Sequence, residues 1–270
     1  MRLATWNVNS IRTRVDRVTT FLRDLDVDVL AMQEIKCRTD QFPYMAFEEA
    51  GYEVAAHGLN QWNGVAIASR VGLDAVEIGF PGMPAWEETG IEEARAIGAR
   101  VGFAPQGGEG EPADAVTVWS LYIPNGRELE HPHYAYKLAW LEALRSAGAE
   151  WLTADDAAKI ALVGDWNVAP QDGDVWSMDA FAGKTHVSAP ERAALHGIEE
   201  AGFREVTREF VPEQYTYWDY QQLRFPRNEG MRIDFVHASP ALSVSAAEIV
   251  RNERKGKGAS DHVPVIVEIP

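Results

Sequence analysis

The chain has one cysteine, Cys37. No disulfide can form within it, and a reducing cytoplasm is the expected setting. No motif frames Cys37, so it reads as a packing residue rather than a nucleophile. Long apolar runs are also missing. Stretches such as Ile160–Val163 and Val263–Ile269 are only of strand length, so no membrane span is expected. No apolar signal region precedes Trp6, and export is not expected. Three familiar arrangements are absent as well: a Walker-type phosphate loop, Cys/His zinc spacing, and a Ser-His-Asp order built on an exposed elbow. Positive charge is scarce, with 25 Lys and Arg against 41 Asp and Glu for a net of −16. That balance excludes a protein that coats nucleic acid unspecifically. It leaves room for a local basic patch, because distribution matters more than the sum. Residues 220–262 carry Arg224, Arg227, Arg232, Arg251, Arg254, Lys255 and Lys257, a net of +2 against −18 for the rest.

What is present is an ordinary globular composition, 46% apolar and 24% charged over 270 residues. One domain spanning 1–270 is expected, with a sizeable core. The nearest thing to a linker is Pro105-Gln-Gly-Gly-Glu-Gly-Glu-Pro112, read as a hairpin loop between strands Ala96–Phe103 and Val116–Ile123. Further strands are expected at Leu3–Val8, Val27–Gln33, Tyr52–Ala56, Gly64–Ser69, Lys159–Gly164, Ile233–Ala238, Leu242–Val250 and Val263–Ile269. Helical patterns fit Arg12–Asp24, His133–Ala149 and Glu191–Ala201, the last with Ser188 and Glu191 as a capping box. Strands in pairs with few helices between them suggest mostly antiparallel sheets packed face to face and covered by helices. Trp6-Asn7-Val8 recurs as Trp166-Asn167-Val168, a weak hint of two similar halves.

The chemistry gathers at strand ends. Asn7 and Asn9 share one face of the first strand, since side chains alternate. Asp165 and Asn167 end another strand, Gln33-Glu34 a third, and Ser260-Asp261-His262 precedes the last. Turns favour Asp and Asn, but they do not require Glu, Asp, Asn and His to converge. Such hard oxygen donors suit a divalent cation that keeps water and phosphate oxygens in its shell. The set also suits phosphodiester hydrolysis, with a base or orienting group for water and donors for the phosphate.

These residues fall in an ordered series. Ala4–Arg12 (ATWNVNSIR), Leu30–Lys36 (LAMQEIK), Trp62–Ile67, Leu121–Gly126 (LYIPNG), Leu162–Val168 (LVGDWNV), Tyr217–Tyr220 (YWDY), Gly230–Phe235 (GMRIDF) and Ser260–Val265 (SDHVPV) span nearly the whole chain. The series resembles the exonuclease III family of abasic-site DNA endonucleases, within the endonuclease/exonuclease/phosphatase superfamily. The resemblance implies an α/β (α+β) four-layer αββα sandwich of two mostly antiparallel mixed sheets. It implies a Mg²⁺-dependent enzyme, with Mn²⁺ as a substitute, that cleaves duplex DNA 5′ to abasic sites and removes 3′ nucleotides or 3′ blocking groups; a monomer in the cytoplasm is the accompanying expectation. Asn7 and Glu34 would sit at the metal, with Asp261 beside it through water or His262. Asp165 would orient or deprotonate the water, and Asn167 would hold the water or a phosphate oxygen. His262 would contact the phosphate with Asp234 fixing its tautomer, and Tyr122 would serve the phosphate or the leaving 3′ oxygen. Arg12 and Asn125 would hold DNA phosphates, and Trp218 would stand beside the site. Tyr217, Met231 and Ile233 would line the pocket for a base-free sugar. Relatives carry Trp where this chain has Met231, and a flexible thioether makes a looser wall. His57, His131, His133, His186, His196 and His237 fall in no site motif.

Two rivals bear on this reading. The superfamily also holds inositol-phosphate phosphatases and sphingomyelin phosphodiesterases. A binding module that had lost catalysis should lack one of Glu34, Asp165, Asp234 or His262, and all are present. A body of −16 that grips DNA only through a basic rim at Arg12, Arg224/Arg227 and Arg251–Lys257 neutralises few phosphates. Duplex binding by Asp165→Asn should therefore weaken along a shallow salt slope, about 0.9 in log K per log unit of salt for each phosphate contacted. A slope equivalent to about ten contacts would refute the local-patch picture.

Overall fold

Strand β1 (Arg2–Asn7) shows how this sequence makes layers. Leu3 lies in an apolar cluster between two sheets, and Thr5 and Asn7 follow it on the same face. Ala4, Trp6 and Val8 lie in a second cluster with the helices outside. A strand covered on both faces carries no solvent face, which is why it reads as a nearly continuous apolar run.

The structure is a computed structural model and describes residues 1–102 and 115–270. The expected Pro105–Pro112 hairpin loop lies outside the described residues. After β1 come α1 (Val15–Asp24), β2 (Val29–Gln33), α2 (Tyr44–Glu49), β3 (Glu53–His57), β4 (Val65–Ser69), β5 (Leu73–Ile78), β6 (Ala96–Val101) and β7 (Val116–Tyr122). Then follow α3 (Pro132–Ala154), β8 (Ile160–Asp165), α4 (Ala189–Glu200), β9 (Arg204–Glu205), β10 (Asp234–Ala238), β11 (Ala246–Ile249) and β12 (Val265–Glu268). Among the described residues the strands form two six-stranded sheets, ordered β11-β12-β1-β2-β4-β3 and β5-β6-β7-β8-β10-β9. β1 with β2 and β7 with β8 run parallel, and the other neighbours run antiparallel. Each parallel pair is joined through a helix, α1 or α3, because a parallel return needs a crossover.

Leu3, Val29, Val118, Val163 and Val236 fill the space between the sheets. Trp119, Trp140, Leu144 and Leu195 pack α3 and α4 on one outer face, and Trp6, Phe21 and Phe47 pack α1 and α2 on the other. This is the four-layer αββα sandwich that the resemblance implied. The two strand orders match position for position, with a parallel pair at the centre of each, so the halves share a topology. The repeated tripeptide does not mark that relation. Trp6 lies on β1, which corresponds to β7, whereas Trp166 follows β8, which corresponds to β2.

Three elements escaped the sequence pattern: β5, β9 and α2. β5 is an edge strand with Ala75–Ile78 exposed and a bulge between Asp74 and Glu77, so its alternation is broken. β9 has two residues and α2 six, too few for a period to show. The expected helix at Arg12 begins at Val15, after a separate 3₁₀ turn at Ile11–Thr13. The expected strand Leu242–Val250 is shorter, Ala246–Ile249.

Register places the chemistry. Tyr122 pairs with Asp165, and Asp165 with Asp234, so these residues form one row across β7, β8 and β10. Asn7 pairs with Gln33 in the facing sheet, one residue before Glu34. The row depends on Gly164, whose φ is +151° and where an added Cβ would lie 1.9 Å from the Leu121 carbonyl oxygen. Gly164→Ala must push β8 away from β7. We expect a stability loss above about 2 kcal/mol, in the upper range for single substitutions, measured as a lower urea midpoint.

Candidate active site

The site begins where β1 and β8 end, facing each other. The Asn7 amide nitrogen donates to Glu34 Oε1 at 2.7 Å and to Asp165 Oδ2 at 2.9 Å, and so bridges the two sheets. Its own oxygen accepts from the Asn9 backbone N–H at 3.1 Å. In this orientation Asn7 presents a donor to the carboxylates, not an oxygen. Glu34 Oε2 meets Lys36 Nζ at 2.8 Å. Burial pushes the Glu34 carboxyl up, but the Lys36 charge and the hydrogen bonds from Asn7 and Lys36 outweigh it and hold the group below its ordinary range. Asp165 Oδ1 accepts the Asn167 backbone N–H at 3.0 Å. Burial raises the Asp165 carboxyl, and the charges of Asp234 and Glu34 raise it further against the pull of His262.

His262 stands between two carboxylates. Its Nδ1 lies 2.9 Å from Asp234 Oδ2, and its Nε2 lies 3.7 Å from Asp165 Oδ2. Burial works against its charge, yet Asp234 and Asp165 carry its pKa up to about 10. The flanking carboxylates thus favour the charged form of the ring, a donor aimed into the site. Asp234 is fixed from behind by the Thr216 hydroxyl, which donates to Oδ2 at 2.6 Å. Trp6 Nε1 donates to the His262 carbonyl at 3.1 Å, tying the last loop to β1. Tyr122 lies beside Glu34 with Arg95 4.7 Å above its ring. Burial and the Glu34 charge raise its hydroxyl well above the ordinary range, so it remains a donor. Asn9, Ser10, Glu34, Lys36, Asn167 and His186 all have positive φ. Strained backbone concentrates here, as it does at functional sites generally.

Glu34, Asp165 and His262 offer ligand atoms within 4.8 Å of one another. Of these, the Glu34 and Asp165 carboxylates supply the oxygen atoms and His262 the nitrogen. The carboxylates are hard donors, and so few of them leave most positions of a divalent cation to water and substrate oxygens. Asp261, expected beside the metal, lies outside that group, and its Oδ1 accepts from Asn9 Nδ2 at 3.0 Å.

The other expected residues divide. Asn125 and Asn167 meet, with Asn125 Nδ2 3.2 Å from Asn167 Oδ1. Tyr217 and Met231 pair as neighbouring bridges, and Met231 and Ile233 cluster with Ala169 and Val175. The Tyr217 ring lies 4.9 Å from the His262 ring. Arg12 is exposed on the turn after β1. Trp218, expected beside the site among the DNA-binding residues, is fully buried against Tyr215 and Phe225 with Arg251 over its ring. It is a packing residue, because the Trp-Asp-Tyr segment turns that ring inward. The expected basic rim is also mostly engaged: Arg224 and Arg227 both bind Glu229, and Arg254 stacks on Tyr220. His186 was missed. It is buried with Nε2 3.1 Å from Asn167 Oδ1, and burial, then the Lys137 charge, push its pKa down to about 3. No local motif in the sequence could have signalled it.

The sequence profile of the endonuclease/exonuclease/phosphatase family matches residues 4–262. The chain belongs to that family. Membership makes it a hydrolase, and the exonuclease III resemblance extends over its whole length. Exodeoxyribonuclease III of Haemophilus influenzae is 26% identical, over 99% of each chain. Two solved structures, each 31% identical and covering 100% of this chain and 99% of their own, superpose with TM-scores of 0.88 and 0.87. The first is the 3′ phosphatase NExo from Neisseria bound to a product DNA hairpin, and the second an AP endonuclease from Archaeoglobus fulgidus.

The His262 pair gives a direct test. Asp234→Asn should drop the His262 pKa from about 10 toward the ordinary histidine value, read by imidazole NMR. Folding raises this pKa, so the native state keeps a proton that the unfolded chain releases above about pH 6.5. The pair's stabilisation is full below that pH and is lost as pH rises through about 10. A variant ring still protonated near pH 10 would show that Asp234 does not set the charge.

Proposed function

We propose that this hydrolase is a Mg²⁺-dependent DNA repair phosphodiesterase, with Mn²⁺ as an alternative ion. In this reading it cuts duplex DNA 5′ to abasic sites and removes 3′ nucleotides or 3′ blocking groups. The observation that carries the reading is the continuous chain Lys36–Glu34–Asn7–Asp165–His262–Asp234, which sets the Glu34 and Asp165 carboxylates against the His262 imidazole. The relatives named as an exodeoxyribonuclease, a DNA-bound 3′ phosphatase and an AP endonuclease support DNA as the substrate.

Glu34, with Asp165 near it, would hold the ion, and Asp261 would act only through water. A bound divalent cation neutralises charge that develops on the phosphate and helps ionise water. Asp165, raised toward neutrality, orients the attacking water and accepts its proton. His262 donates to a non-bridging oxygen, a charge-assisted bond stronger than a neutral one. Tyr122 donates to the phosphate or the leaving oxygen, and Asn167 and Asn125 hold the remaining oxygens. Tyr217, Met231 and Ile233 would wall a base-free sugar, while Arg12 meets the DNA backbone. Residues 1–270 would act as one domain, as a monomer in the cytoplasm; no described helix is long and apolar enough to cross a membrane.

Glu34→Ala should lower cleavage of an abasic duplex in limiting Mg²⁺ by more than about a hundredfold, beyond the loss typical of outer-sphere partners. Divalent-ion binding measured by calorimetry should weaken in parallel, with the melting temperature retained. Full cleavage by this variant would end the assignment. The same assay run with a 3′-phosphate duplex and with an inositol phosphate separates the DNA reading from the superfamily's other phosphatases.

A further inference from the structure

Helix α3 carries a lysine where its packing calls for an apolar residue. Lys137 lies on the buried stripe that continues through Trp140, Leu141 and Leu144, and it is fully buried. Its Nζ meets Glu191 Oε1 of α4 at 2.5 Å, and both side chains are 0% exposed. Glu191 is the capping-box glutamate, and it does far more than cap. Its Oε1 also accepts the Thr185 hydroxyl at 2.5 Å and the His186 N–H at 2.9 Å. Its Oε2 accepts the Ser188 hydroxyl at 2.5 Å. Lys137 Nζ donates to the Asn167 carbonyl at 2.6 Å and reaches the Asn125 carbonyl at 3.3 Å.

The pair thus ties together three loops: the one after β7, the one after β8 and the one before α4. Each loop brings one polar side chain to the site, Asn125, Asn167 or His186. Those side chains meet, with Asn125 Nδ2 at 3.2 Å and His186 Nε2 at 3.1 Å from Asn167 Oδ1. Asn167 has φ 50° and His186 φ 78°, conformations that need outside support. A buried ion pair is weak evidence for stability, since apolar residues of similar size often serve as well. An apolar pair could not, however, donate to Asn167 while receiving Thr185, His186 and Ser188.

We propose that Lys137 and Glu191 are a positioning pair that fixes the Asn125–Asn167–His186 cluster and, through the Asn167 N–H, the Asp165 carboxylate. The inference rests on the phosphodiesterase reading for its kinetic effect, but not for its geometric one. Removing the pair lets Asn167 relax, and the groups around the phosphate lose alignment without losing the pocket.

The test is the double variant Lys137→Met/Glu191→Met, beside Glu191→Gln, which keeps an oxygen toward Lys137, Thr185 and His186. The double variant should keep KM within about twofold while kcat falls by about tenfold to a hundredfold, as misplacement of this kind does. Glu191→Gln should recover most of that loss. NMR of the Asn125 and Asn167 side-chain amides supplies a readout independent of activity. Their resonances should shift or broaden in the double variant and stay near wild-type positions in Glu191→Gln. Wild-type kcat in the double variant, or unmoved amide resonances, would overturn the proposal. An inactive wild-type chain would instead count against the phosphodiesterase reading, and the amide resonances would still decide the positioning.

Discussion

The double hydrogen bond from the Asn7 amide holds the site together. It joins a carboxylate at the end of one sheet to a carboxylate in the other, at 2.7 and 2.9 Å. Like charges brought this close in a dry interior repel, and the usual escape is protonation of one partner. Burial, and after it the charges of Asp234 and Glu34, push the Asp165 carboxyl up. Lys36 on one flank and His262 on the other supply the opposing charge. Asn7 supplies what neither can, a neutral two-proton clamp that fixes the separation of the sheets at this end.

That clamp ends a gradient through the inter-sheet layer. At one end the filling is Leu3, Val29, Val116 and Val236. Toward the site it becomes polar but neutral: Gln33 donates to Thr5 at 3.1 Å and to Ser120 at 2.9 Å, linking the two sheets. Glu34, Asp165 and Asp234 come next. Buried polar groups of this kind are costly unless satisfied, and here each finds a partner across the gap. The polar band separates a close-packed apolar interior from a charged mouth without leaving orphaned groups between them.

Much of this was legible in the sequence, for stated reasons. Strands covered on both faces advertise themselves as apolar runs, so β1, β2, β7, β8 and β10 were found close to their true limits. The polar residues closing those runs marked the site, because strand alternation puts Asn7 and Asp165 on the inner face. Three kinds of information were not legible. Edge elements such as β5 lack a buried face and so lack a pattern. Burial of an aromatic in a loop, as for Trp218, depends on Arg251 from a distant segment and on how the loop folds Phe225 back onto it. His186 joins the site through backbone strain and a long-range contact with Asn167. Lys137 did leave a trace, a charge on a buried helical stripe, and Glu191 showed only its local capping role.

The sheet that holds Glu34 is closed by the far end of the chain. β1 is flanked by β2 on one side and by β12 on the other, and His262 lies in the loop that leads into β12. Contacts of such long sequence separation form late and slowly, because the intervening chain must be closed into a loop first. The β12 edge of β1 therefore has no partner until Val265–Glu268 has been made. The facing sheet, drawn from a contiguous middle stretch, can assemble earlier and offer a template. A chain that stops short of residue 262 cannot bring Glu34, Asp165 and His262 together.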